Sequence, residues 1–353
     1  MKNVIIKGLK LTCLVALSTV LFTGCGSASN KETIRIYNAG EYIDESLIGK
    51  FEDEYDCNVV YSIFASNEEM YTKLNSGDKF DILVPSDYMI ERLIKEEYLK
   101  EIDWSKVTVK DKILKDVMDK EYDPGNKYSV PYYWGNVGIL YNKKTVDKED
   151  LKDGWEILNN KKYKGKLYMY NSERDSFMIA LKALGYSMNT HSKKELDAAY
   201  DWLVKQNKKM DPVYAGDEVI DNMISGNKDM AIVYSGDAAL IMSENKNYDF
   251  LVPKQGTNLW VDAMVLTKDC ENDDLAYDFM NFILNEENAL INTEYIGYSS
   301  SVKSVYEKMQ KTTFKGIDAY VVDDSNKKNE VFRYQDSDTK KYMSELWTKV
   351  IAR

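Results

Sequence analysis

The chain of 353 residues contains a single histidine, His191, and four cysteines. One histidine cannot furnish a Ser–His–Asp or Cys–His arrangement, and no cluster of His, Cys and carboxylates has metal-ligand spacing. No glycine-rich phosphate loop is present, and no local pair of acids stands out for glycoside hydrolysis. The sequence therefore predicts no catalytic residue, no metal and no cofactor. Bases are also in deficit: 47 Lys and Arg stand against 58 Asp and Glu, a net charge of −11. That balance disfavours nucleic acid, which wants a basic patch. It suits a cationic ligand, although uniform charge mostly reports solubility. His191 precedes Ser192-Lys193-Lys194-Glu195, which reads as a capping box, so the histidine is expected in a loop.

Only one long apolar run occurs, LTCLVALSTVLF, at the amino terminus. Lys2, Lys7 and Lys10 precede or open it, no acid lies in residues 1–24, and TGC follows. This is the pattern of a signal peptide, too short for a comfortable membrane span. The ending LFTGC resembles a lipobox, in which cleavage precedes a cysteine that carries diacylglycerol. Cys25 is the expected lipidation site, with residues 25–31 as a small polar tether. Phe22 stands where leucine is preferred three places before the cysteine. Removing the three lysines takes the net charge from −11 to −14. Outside the signal and the lipid site only Cys57 and Cys270 remain, and both are expected as thiols.

From residue 33 onward strand and helix patterns alternate. TIRIYNAG, CNVVYSIFAS and FDILVPSD read as strands, separated by the helices DESLIGKFEDEY and EEMYTKL and followed by YMIERLIKEEYL. Ser66-Asn67-Glu68-Glu69 is a second capping box. After PYYWGNVGILYN the alternation restarts, with strands KGKLYMYN, DPVYAG and DMAIVYSG among helices. The order predicts an α/β fold with parallel strands, helices on both faces and ligands beyond the carboxyl ends of the strands. Asp237, in SGDAAL, is expected to cap the helix that follows it.

Residues 258–266, NLWVDAMVL, have strand composition with an acid in the middle. Alternation puts Trp260, Asp262 and Met264 on one face. An indole beside a carboxylate suits an ammonium group, the acid supplying charge and the ring a cation–π surface. The segments at 131–138 and near 260 both fall between the two alternating units, as crossings of a hinge would. Asp262 is then expected to line a cleft rather than enter a core.

The strings IYNAGEY, FDILVPSDYMIERL, YSVPYYWGNVGI, ALKALGYS, LWVDAM and IGYSS resemble the spermidine/putrescine-binding proteins of ABC importers. The resemblance runs from about residue 32 to the end. It implies a two-lobed periplasmic-binding-protein fold of type II, with the ligand cleft between lobes joined by two crossing segments. The lobes are expected at 32–134 with 261–305, and at 135–260 with 306–353. It also implies ligand-binding roles for Glu41, Tyr42, Ser86, Tyr88, Asp175, Tyr234, Trp260, Asp262, Tyr298 and Gln335. Two positions depart from the family: Ala39-Gly40 replace a Trp-Thr or Trp-Ser pair, and Ser172 stands where a spermidine site has aspartate. The resemblance implies a monomer, lipid-anchored on the extracytoplasmic face of the membrane (periplasmic if an outer membrane is present), that delivers a polyamine to a permease and its ATPase. Neither nucleic acid nor catalysis is expected. Two alternatives stay open: the same fold holding an amino acid, sugar or ferric ion, and a surface lipoprotein enzyme acting on glycans.

Overall fold

The computed structural model of the protein describes residues 31–40 and 42–352. The signal segment, Cys25 and Glu41 lie outside the described residues. The first unit runs β1 (Thr33–Ala39), α1 (Ser46–Tyr55), β2 (Asn58–Phe64), α2 (Asn67–Asn75), β3 (Ile82–Leu83) and α3 (Asp87–Lys95). β4 (Ser129–Asn142) leads into the second, with β5 (Leu167–Tyr170), α4 (Glu173–Ala183), α5 (Lys193–Met210), β6 (Val213–Ala215), α6 (Val219–Ile224), β7 (Met230–Tyr234), α7 (Ser235–Glu244) and β8 (Tyr248–Leu251). The chain then forms β9 (Leu259–Leu266), α8 (Asp273–Ile283), α9 (Glu286–Ile296), β10 (Ser299–Ser300), α10 (Lys303–Lys311) and α11 (Ser337–Ile351).

The strands follow the order β2-β1-β3-β9-β4-β7-β5-β6, with β8 and β10 also on β4. β1 is parallel to β2 and β3, and β5 is parallel to β6 and β7, as right-handed strand–helix–strand units require. β9 and β4 run antiparallel between these two parallel sets. The first half of β4 pairs with β9, from Ser129 opposite Val265 to Asn136 opposite Leu259. Its second half pairs with β7, from Val137 opposite Tyr234 to Tyr141 opposite Met230. One long strand thus serves both sets, and its first twelve residues are buried.

Two clusters of buried side chains flank this crossing. One gathers Ile34, Phe51, Leu83, Ile90, Phe279 and Phe282. The other gathers Trp155, Leu167, Phe177, Leu203, Met230 and Leu346. α8 supplies Leu275, Phe279, Phe282 and Ile283 from one face at helical spacing, and Phe51 meets Phe279 and Phe282 at 5.2 Å in each case. Tyr88 and Tyr234 are partly buried and pack against both clusters, which places them where the two lobes meet.

Some local expectations hold and others are corrected. Ser66 caps α2 by accepting from the Glu69 amide at 3.1 Å, and Glu69 reaches back to the Ala65 amide at 2.9 Å. Ser192 takes the N-cap position of α5 but its hydroxyl makes no cap bond; instead Thr190 donates its hydroxyl to Glu195. The short strands β8 and β10 and the helices α9 and α10 have no counterpart in the sequence reading. Cys57 and Cys270 are buried thiols, not joined to one another. Among the described residues no helix is long and apolar enough to cross a membrane.

Candidate functional site

The ends of β1, β2 and β7 open on a cleft of about 890 Å³, within the range of small-molecule sites. Of the ten residues expected at a ligand, Tyr42, Ser86, Tyr88, Asp175, Tyr234, Trp260, Asp262 and Tyr298 line it. Glu41 lies outside the described residues. Gln335 is buried but does not line the cleft, and its side-chain oxygen has no hydrogen-bond partner.

Asp262 sits beside a defect in the ladder. β4 and β9 shift register between Pro131 and Tyr133, so that Pro131 faces Ala263 and Tyr133 faces Asp262. Proline has no amide to give the ladder and is tolerated at such a bulge, and bulges re-aim neighbouring side chains. Asp262 comes to rest half-buried on the cleft wall, accepting a hydrogen bond from the Tyr42 hydroxyl at 2.6 Å. Burial pushes its carboxyl above the usual aspartate value, against the pull of Tyr42 and Ser86. Tyr42 is fixed in turn, its carbonyl accepting from the Tyr132 hydroxyl at 2.9 Å.

Asp175 comes from the other lobe. It lies in the first turn of α4, whose N-cap Ser172 accepts from the Asp175 amide at 3.3 Å. The residue that departs from the family's aspartate is thus the helix cap. Asp175 is buried, one oxygen accepting from the Tyr234 hydroxyl at 2.8 Å and the other without a partner. Burial raises its carboxyl too.

Aromatic rings join the two acids. Tyr234 meets Trp260 at 6.1 Å, Trp260 meets Tyr298 at 5.2 Å, and Tyr298 meets Tyr42 at 5.9 Å, all edge to face. Two glycines make room for this wall. A Cβ at Gly135, opposite Trp260 in the ladder, would overlap the indole, and one at Gly236 would overlap the Tyr298 ring. Asp237 is not the helix cap expected of it. Tyr234 takes that position, and Asp237 sits in the first turn of α7, accepting from the Tyr298 hydroxyl at 2.8 Å. Burial raises its carboxyl to about 7.

The sequence assigned no ligand role to Glu68, Arg174 or Lys340, which also line the cleft. Lys340 donates to Glu68 at 3.1 Å, and the Arg174 guanidinium stacks 3.8 Å from the Tyr88 ring centre. No group of three or more metal-ligating side chains occurs among the described residues.

The sequence model of the family described as bacterial extracellular solute-binding protein matches residues 46–316, well over half the chain. The chain belongs to that family. This solute-binding protein is 32% identical over 290 residues to the spermidine/putrescine-binding periplasmic protein of Escherichia coli, covering 81% of its own length and 82% of that protein's. It is also similar to a spermidine/putrescine ABC transporter substrate-binding protein of Streptococcus pneumoniae, with a TM-score of 0.79, 34% identity, and coverage of 91% and 99% of the two chains. A lipoprotein of Treponema pallidum gives a TM-score of 0.77 at 27% identity, over 91% and 100%. The likeness to these neighbours shows the fold: it is a two-lobed binding protein of type II. The family is one of transport proteins rather than enzymes.

Proposed function

We propose that this protein captures a polyamine in the cleft and delivers it to a membrane importer driven by an ATPase. The observation that carries the reading is the pair Asp175 and Asp262: a buried and a half-buried carboxylate, each accepting from a tyrosine hydroxyl, joined by a wall of aromatic rings. Among the described residues no base hydrogen-bonds either acid. A polyamine is a chain of ammonium groups separated by methylenes. Each ammonium on a carboxylate gains about 1.5–3 kcal/mol net. Each desolvated ring contact adds roughly 0.5–2 kcal/mol. Two acids and four rings together supply the roughly 8 kcal/mol of micromolar binding after ordering costs. The lobes close on the ligand, and the closed form is what the permease reads. No step of chemistry is assigned to the cleft.

The finer parts of the reading are ours as well. Glu41 joins the cleft residues in holding the ligand, Cys25 carries the lipid, and the protein works as a monomer on the extracytoplasmic face. The likeness to relatives named for spermidine and putrescine supports the ligand class, and the likeness to a lipoprotein supports the anchor. An amino-acid ligand would need a cation for its carboxylate. Arg174 is the cleft arginine, but it is stacked on Tyr88 and flanked by Glu68, Glu173, Asp175 and Asp87, so its charge is already met.

A thermal-shift panel tests the reading. Putrescine or spermidine should raise the melting temperature by several degrees, while amino acids, sugars and ferric citrate should not. A shift with an amino acid alone, or turnover of a glycan fragment, would replace the proposal.

A further inference from the structure

The acids that line the cleft differ in their partners. Asp175 and Asp262 are held by tyrosine hydroxyls. Other acids of the lining meet bases. Lys340, from α11, places its ammonium 3.1 Å from Glu68 of α2, and the Tyr88 hydroxyl lies 3.4 Å from the same carboxylate. Arg174 stacks on Tyr88 with one guanidinium nitrogen buried and unpartnered, adding a second positive charge there. Glu173 accepts from the Ser344 hydroxyl at 3.0 Å. Burial opposes ionisation of Glu68, yet Lys340 and Arg174 more than offset it and hold the carboxyl below the usual glutamate value. Lys340 and Glu68 are 272 residues apart in the chain, so the fold alone delivers this ammonium into the cleft.

We propose that Lys340 is a specificity-determining residue: its tethered ammonium occupies Glu68, the anion placed to receive a third charged nitrogen, and the cleft therefore favours diamines over triamines. This rests on the polyamine reading. Two nitrogens of any polyamine are satisfied at Asp175 and Asp262. The remaining arm of a triamine extends along the cleft and needs another anion. Glu68 is available only if Lys340 is displaced, and a tethered group competes at an effective concentration in the millimolar range. Arg174, itself a cation, offers no alternative anion there. A diamine has no third nitrogen to place and meets no such competition.

Calorimetric titration of putrescine and spermidine into the wild-type protein, Lys340→Met and Lys340→Arg tests the inference. Wild type should bind putrescine more tightly than spermidine. Lys340→Met should raise the spermidine-to-putrescine affinity ratio by about tenfold or more, while Lys340→Arg, which keeps the charge, should leave the ratio within about threefold of wild type. Lys340→Gln carries the same expectation as Lys340→Met and stands in for it should that variant not fold. A ratio unmoved on loss of the charge overturns the role of Lys340, and so does an equal rise in Lys340→Arg, which would show bulk rather than charge at work. Wild type that binds neither polyamine removes the polyamine reading and this inference with it. Wild type that binds putrescine, with variants that leave the ratio unmoved, removes the inference alone.

Discussion

At one end of the cleft, Asp175 and Asp262 are oriented by the hydroxyls of Tyr234 and Tyr42; at the other, Glu68 is oriented by the ammonium of Lys340. All three acids have their geometry fixed. A hydroxyl donates a hydrogen bond but brings no charge, so the carboxylate it holds gains no counter-ion from it. An ammonium does both and leaves little for a ligand to gain. The carboxyls follow this difference: burial raises those of Asp175 and Asp262, whereas Lys340 overcomes burial and lowers that of Glu68. A binding end and a self-neutralised end thus differ in the choice of partner, not in the choice of acid.

The largest effect is expected from removing charge at the binding end. Asp262→Asn keeps an acceptor for Tyr42 but loses the charge-assisted contact, about 1.5–3 kcal/mol, and calorimetry should show putrescine affinity falling about tenfold to a hundredfold. Circular dichroism should show the fold intact, because the apo protein gains nothing from an uncompensated buried charge. Unchanged affinity would remove Asp262 from the ligand.

Disturbing the aromatic wall should cost less in affinity and more in stability. In Gly236→Ala the new methyl group overlaps the Tyr298 ring, which also donates to Asp237. Overpacking costs about 1–3 kcal/mol. Alanine recovers up to about 1 kcal/mol through helix propensity, so a net loss is expected in denaturant unfolding. Putrescine should bind a few-fold more weakly as Tyr298 is displaced. A variant as stable as wild type would show that the ring has room to move.

The contrast can also be read by titration. Asp175, Asp262 and Asp237 have folded-state values above their unfolded ones, that of Asp237 reaching about 7. A raised carboxyl favours the folded state while it is protonated, so its contribution is present at acid pH and is lost as pH rises through the raised value. A bound polyamine reverses this penalty, and the thermal shift it gives should be larger at pH 8 than at pH 5. Ligand binding should be accompanied by proton release, detected by calorimetry in two buffers of different ionisation enthalpy. No proton release, or a shift that shrinks with rising pH, would contradict the assignment.

How much of this contrast was legible in the sequence depends on how local each signal is. The binding end was legible because β9 has strand composition and alternation puts Trp260 and Asp262 on one face, while Tyr88, Asp175 and Tyr234 stand at element boundaries. The self-neutralised end was not, since Lys340 on α11 reads as any solvated lysine until the fold carries it to Glu68. The glycines behind the wall were equally silent, because Gly135 and Gly236 act through rings distant in sequence. β10 spans two residues, too few for any periodicity to show. The two capping boxes read alike, yet only Ser66 caps; at Ser192 a hydroxyl two residues earlier reaches the glutamate instead.

The smallest effect is expected from adding an acid between the two ends. Ser172 lines the cleft and caps α4. Aspartate caps a helix about as well as serine, so Ser172→Asp should fold normally. The new carboxylate lies beside Arg174, two residues along, which takes up part of its charge. What is left should serve a third nitrogen incompletely, tightening spermidine about three- to tenfold relative to putrescine, equivalent to roughly 0.6–1.4 kcal/mol. Pairing it with Ala39→Trp, which supplies the missing ring at a position already on the cleft wall, should extend the gain. The measurement is calorimetry at low and high salt. A direct contact survives about 0.5 M salt, whereas a general field is screened within a few ångströms there. An equal gain for both ligands that disappears in salt would mean that the added charge never meets the third nitrogen, and that this region of the cleft lies off the path of the ligand.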